Sequence, residues 1–92
     1  MKQSKNLPRP ISVIPKKKFI LDLEFDDGIK GLVDLSYLRG RGIFEFWNEE
    51  ENFSKVHIDR SGGIIWNDEV DIDSLNCYLK ITNQTFEEYA NR

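Results

Sequence analysis

From Phe19 to Leu35 the chain alternates apolar and polar residues on both sides of Asp26-Asp27-Gly28. Phe19, Leu21, Leu23 and Phe25 fall on one face of an extended segment, and Ile20, Asp22 and Glu24 fall on the other. A period of two marks a half-buried strand. Asp-Gly between two such runs is a strong hairpin signal. Gly28 supplies the positive φ that a primed turn demands. The return strand sets Ile29, Gly31, Val33 and Leu35 against Lys30, Leu32 and Asp34. In that hairpin Glu24 and Lys30 come near each other on the exposed face, a modest stabilising pair.

The remaining elements are read around this hairpin. Pro10–Pro15 alternates, and its prolines restrict it to a short edge strand. Lys16–Lys18 connects it to Phe19. Ser36–Arg39 reads as one helical turn with Ser36 as N-cap and Gly40 as its left-handed stop. Ile43–Trp47 reads as a short extended segment entering a turn at Asn48–Asn52, with a short amphipathic helix over Glu45–Asn52 as the competing reading. Phe53–Asp59 and Ile64–Trp66, joined by Arg60-Ser61-Gly62-Gly63, form a second hairpin, and Asn67–Val70 leaves the sheet. Asp73 caps a helix carrying Leu75, Tyr78 and Leu79. Thr82-Asn83-Gln84 interrupts it, and Thr85-Phe-Glu-Glu88 is a capping box for a last helical segment.

The expected fold is α+β: a small antiparallel β-sheet of about four or five strands, two hairpins plus an edge strand, with C-terminal helical segments. The expected core is Phe19, Leu21, Leu23, Phe25, Ile29, Val33, Leu35, Phe44, Phe53, Val56, Ile58, Ile65, Trp66, Leu75 and Tyr78. With 92 residues the chain bounds one domain: a flexible basic arm over 1–9 and a single α+β domain over 10–92.

Charge is unevenly spread. Residues 1–18 hold Lys2, Lys5, Arg9, Lys16, Lys17 and Lys18 and no acid, although the whole chain carries a net charge of -3. A basic arm on an acidic body suits a nucleic-acid or membrane-surface contact, but short blocks of like charge usually stay solvated. No apolar run approaches the roughly 18 residues that span a bilayer. The apolar stretch Ile11–Ile14 is too short for the core of an export signal. A single Cys excludes an internal disulfide framework. A cytoplasmic place is the expectation.

Few residues offer chemistry. Cys77 needs a base and a lowered pKa to act as a nucleophile, and the single histidine, His57, sits in another element. A small buried hydrophobe and an exposed strand residue are the plainer readings of the two. Asp68-Glu69-Val70-Asp71-Ile72-Asp73 is rich in oxygen ligands. Counted from Asp71 or from Asp68, however, the sixth and twelfth places of a calcium loop hold Asn76 and Thr82, or Asp73 and Leu79. Helix capping by Asp73 is the simpler role. Arg39-Gly40-Arg41-Gly42 could meet phosphate, or could simply stop a helix and turn the chain. Trp66 belongs with the core. Trp47, beside the polar run Asn48–Asn52, is expected to be partly exposed and to serve a partner or dimer contact.

The succession Phe19-x-Leu-x-Leu-x-Phe25, Asp27-Gly28, Val33-Asp34-Leu35, Gly42-x-Phe44, Phe53-x-x-Val56-x-Ile58-Asp59, Gly63-x-Ile65-Trp66 and Asp71-x-Asp73-x-x-x-x-Tyr78 resembles the domain of unknown function 2442 family of short, mostly bacterial proteins. The likeness covers about Ile11 to Tyr78. Here Asn67-Asp68 stands where the family usually has Asn-Gly. Ser74 stands where it has Pro, and Cys77 where it has Leu. The resemblance implies a small α+β domain without an established activity. Such a domain occurs alone or ahead of a helix-turn-helix domain, and is often encoded beside another very short protein in a toxin–antitoxin-like arrangement.

The expected function is therefore a non-enzymatic protein-interaction module, with no cofactor and no metal. Its expected partner is another small protein or a second copy of itself. The alternative is a nucleic-acid-binding accessory protein. Trp47, Arg39, Arg41, Lys16, Lys17 and Lys18 are the candidate partner-binding residues.

Overall fold

The computed structural model describes residues 7–91. The fold is α+β, built on two three-stranded antiparallel sheets. The first holds β1 (Pro10–Lys16), β2 (Ile20–Phe25) and β3 (Lys30–Asp34), with β2 in the centre. Its inner face is continuous because Leu21, Leu23 and Phe25 alternate inward and are fully buried, joined by Val33 from β3. The outer face pairs Glu24 with Lys30, and Ile14 with Asp22 with Leu32, as the strand alternation requires.

The β2–β3 turn differs from the expected primed turn. Phe25 and Ile29 close a three-residue loop, and within it only Gly28 has positive φ, at 91°. A turn followed by one left-handed glycine is the usual three-residue hairpin solution. The carboxylate of Asp27 accepts the Ile29 N–H at 3.0 Å and fixes the loop.

Arg9 precedes β1 and is tied to this turn. Its N–H donates to Asp26 Oδ1 at 3.1 Å, and its carbonyl accepts the Asp26 N–H at 2.9 Å. Of the arm expected over 1–9, residues 1–6 lie outside the described residues.

The segment after β3 departs furthest from the sequence pattern. Ser36–Leu38 is a 3-10 turn, but Ser36 is not its cap: Asp34 Oδ1 accepts the Ser36 N–H at 2.9 Å. Ile43–Trp47, expected to be extended, lies in a 3-10 helix over Gly42–Asn48, so the competing helical reading of Glu45–Asn52 is the nearer one. Three residues per turn put Phe44 and Trp47 on one side of it; Trp47 enters the core and Phe44 packs half-buried against it. Phe53, expected to open a strand, ends the short helix α1 (Glu50–Phe53).

Only β4 (His57–Ile58) and β5 (Ile64–Ile65) remain of the second hairpin, and β6 (Asp71–Ile72) adds an unexpected third strand. The expected single sheet is therefore two. The Trp66–Val70 turn is closed by Asn67, whose Oδ1 accepts the N–H groups of Glu69 and Val70 at 2.8 and 2.9 Å. Helix α2 (Ser74–Thr82) is capped by Asp73, whose side chain accepts the Leu75 N–H, and it stops at Asn83 in the left-handed region. Ser74 thus takes the first helical position, where proline is also tolerated. Helix α3 (Phe86–Ala90) opens on the expected capping box of Thr85 and Glu88.

The core gathers on five rings. Trp47 lies at the centre, with Phe44, Phe53 and Trp66 at centroid distances of 4.8, 5.0 and 4.8 Å, and Phe19 stacked at 6.2 Å. Trp66 Nε1 donates to the Phe53 carbonyl at 2.8 Å. Ile64, not Ile65, is the buried residue of β5. Strand alternation explains it, because Ile64 and Trp66 share a face. Val70 and Cys77 join the core, while Ile29, Phe44, Ile58 and Leu75 are only half-buried.

Candidate functional site

The loop between β1 and β2 is conformationally unusual. Lys16 pairs with Ile20, so Lys17, Lys18 and Phe19 make the whole turn. Lys18 and Phe19 both lie at φ 63°, in the left-handed region. That region costs a non-glycine residue about 1–3 kcal/mol and persists only where the surroundings enforce it. Here they do. The Phe19 carbonyl accepts the Leu35 N–H at 2.8 Å, and its ring sits edge-on to Phe53 at 5.3 Å.

One cation stands over this anchored ring, and three more lie beside it in the chain. The Arg39 guanidinium carbon lies 5.3 Å from the Phe19 centroid. Lys16, Lys17 and Lys18 are exposed and line a cleft of about 220 Å³, together with Pro15, Phe19, Glu50, Phe53 and Ser54. Four of the six candidate residues, Arg39 and the three lysines, therefore gather around Phe19. Arg39 and Arg41 are both exposed, and neither lines this cleft; Arg39 is joined to it only through the Phe19 ring.

Trp47 corrects the expectation of partial exposure. Its side chain is 0% exposed, because the 3-10 helix turns it inward among the other rings. It offers no surface to a partner in this conformation. Its Nε1 is buried with no hydrogen-bond acceptor.

The chemistry-bearing residues fall apart spatially. Cys77 is buried on α2, and burial pushes its thiol up to about 12. A group in that range is not a thiolate nucleophile at neutral pH. His57 is exposed on β4, its Nδ1 3.0 Å from the Lys55 carbonyl. Asp73 caps α2 and Asp71 pairs in β6. No group of three His, Cys, Asp or Glu side chains able to hold a metal occurs among the described residues.

A second hollow, also about 220 Å³, is lined by residues that include Tyr37, Phe44, Ile72 and Cys77. Lys80, also in its lining, donates to Tyr37 Oη at 2.7 Å and lies 4.3 Å from that ring's centroid. Neither the Arg39 nor the Lys80 contact with an aromatic ring is legible in the sequence, because each joins residues far apart in the chain.

No helix among the described residues is long and apolar enough to cross a membrane. No curated protein and no solved structure matches the chain. The family described as protein of unknown function (DUF2442) matches residues 10–78, and the chain belongs to that family.

Proposed function

We propose that this DUF2442 protein is a small, non-enzymatic protein-interaction module of the cytoplasm, one member of a toxin–antitoxin-like regulatory pair. The observation that supports it is the outer face of the first sheet. Ile14 and Leu32 are 48% and 63% exposed and stand in register on either side of Asp22. Ile11, at the irregularity between Pro10 and Ser12 on the same edge strand, is 58% exposed but is not assigned to that face. Isolated surface hydrophobes are ordinary, but apolar side chains grouped on one face mark a contact surface. The partner is another small protein or a second copy of this chain.

Light scattering on a size-exclusion column, with and without the product of the neighbouring gene, tests this. A stable complex or a homodimer is expected, weakened at least tenfold by Leu32→Asp. A clean monomer in both runs overturns the reading.

A second reading, a nucleic-acid-binding accessory protein, has one observation in its favour: Lys16–Lys18 line one cleft with Phe19, and Arg39 stands over that ring. Phosphate contacts make affinity fall steeply with salt. Fluorescence anisotropy with a labelled oligonucleotide over a salt series tests it. Affinity unchanged after Lys16, Lys17 and Lys18 are neutralised rejects it.

A further inference from the structure

We infer that the cleft between the β1–β2 loop and α1 receives an acidic peptide segment of a protein partner, with one apolar side chain of that segment seated on the cleft floor. The inference rests on the interaction-module reading and names the chemistry of the partner.

Shape argues first. The cleft encloses about 220 Å³, below the roughly 300–1,000 Å³ usual for small-molecule sites. It suits a single anchoring side chain better than a cofactor. Pro15, Phe19 and Phe53 contribute its apolar lining. A buried apolar anchor ringed by polar groups is the common form of an interaction hot spot.

Charge selects the partner. Lys16, Lys17 and Lys18 line the cleft against the single carboxylate of Glu50, and Arg39, outside the lining, stands over the Phe19 ring. The protein as a whole carries -3, so this cationic rim runs against its general field. Complementary charge steers association and sets orientation. An acidic segment fits such a rim, and a basic one is repelled.

The rings argue against nucleic acid here. Single-stranded binders offer open aromatic faces for bases to stack on. Phe19 and Phe53 are 9% and 4% exposed and are already packed on Trp47. They form a floor, not a stacking platform.

The rim also has a fixed shape. Lys18 and Phe19 hold left-handed backbone that the core enforces, so the lysines project from an anchored turn. A pre-formed site loses less entropy on binding.

The test is a phage-displayed library of random seven-residue peptides, panned on the full chain at physiological salt. A Lys16→Glu/Lys17→Glu/Lys18→Glu variant, shown by circular dichroism to be folded, serves as counter-target. The expected yield is sequences with Asp or Glu flanking one Leu, Ile or Phe. As synthetic peptides they bind the variant at least tenfold more weakly, and replacing the anchor by Ser weakens binding to the native chain at least tenfold. Enriched sequences without acidic bias overturn the inference. Peptides that bind both proteins equally overturn it too, and leave the interaction-module reading standing. So does an empty selection where light scattering still shows a partner complex. Oligothymidylate binding at similar affinity, lost in the same variant, overturns it by assigning the cleft to nucleic acid.

Discussion

Tyr78 Oη donates to Asp27 Oδ2 at 2.6 Å, joining helix α2 to the β2–β3 turn across 51 positions of sequence. The Tyr78 ring also stands edge-on to Phe25 at 5.1 Å. The same Asp27 holds the turn through the Ile29 N–H. One carboxylate thus couples the local turn to the docking of the helix. Tyr78→Phe keeps the ring contact and removes the hydroxyl. Hydrogen bonds to charged acceptors contribute about 1.5–3 kcal/mol. Urea denaturation is expected to show a loss in that range. An unchanged midpoint would mean that the bond adds nothing to the docking.

The helix meets the sheet again at Gly31. A Cβ built there would lie 2.8 Å from Ile81 Cγ2. Gly31 has no positive φ to explain it, so the close approach of α2 is the reason for glycine. Overpacking of this kind costs about 1–3 kcal/mol. Gly31→Ala is expected to destabilise by that amount. In an Ile81→Ala background, where the obstructing methyl is gone, the same substitution is expected to cost far less. The double-mutant cycle reads that coupling directly, and additive costs would reject the steric account.

The two tryptophans make opposite use of their indole N–H groups. Trp66 Nε1 reaches the Phe53 carbonyl, while Trp47 Nε1 is buried without an acceptor. Trp66→Phe leaves that carbonyl short of a donor, whereas Trp47→Phe removes an orphan donor whose burial costs about 1–3 kcal/mol. Trp47→Phe is therefore expected to be the milder change in thermal denaturation, although Trp47 is the more buried ring. Trp47→Ala, which opens a cavity, is expected to cost about 3–5 kcal/mol. The reverse order of the two Phe variants would contradict the hydrogen-bond assignment.

Cys77 is 3% exposed, and burial pushes its thiol up to about 12. A thiol reagent such as dithionitrobenzoate is expected to label it slowly in the native protein at pH 8. Labelling should be fast once urea unfolds the chain. Fast native labelling would show that α2 opens readily, or that the thiol is less protected than its packing implies.

What the sequence revealed follows from which forces were local. The β2–β3 hairpin, the Asp73 cap and the Thr85–Glu88 capping box depend on neighbours a few residues apart, and each was legible. The stretch from Gly42 to Phe53 was not. Its apolar residues suit strand, α-helix or 3-10 helix over so short a span, and tertiary packing around Trp47 decides among them. The same blindness hid the candidate site. The lysines and Arg39 were visible as residues, but only the fold sets the lysines in one cleft with Phe19 and Arg39 over that ring. Trp47 was misplaced because polar neighbours in sequence are not neighbours in space.

Asp59 organises the turn between β4 and β5. Its Oδ1 accepts the Gly63 N–H at 2.7 Å, the Ser61 hydroxyl at 2.9 Å and the Ser61 N–H at 3.0 Å. These bonds favour the charged form, the Gly63 bond most, and hold its pKa below the ordinary 3.8. The Ser36 N–H does the same for Asp34. A carboxylate with a folded pKa below its unfolded value binds fewer protons when folded. Its contribution to stability is complete above pH 3.8 and disappears as the pH falls through the folded value. The urea midpoint is therefore expected to be flat on this account from neutral pH down to about 4, then to decline. Asp59→Asn cannot titrate, so its midpoint should start lower at neutral pH and decline less in acid. Parallel acid profiles for the two proteins would show that the turn draws no stability from the charge of Asp59.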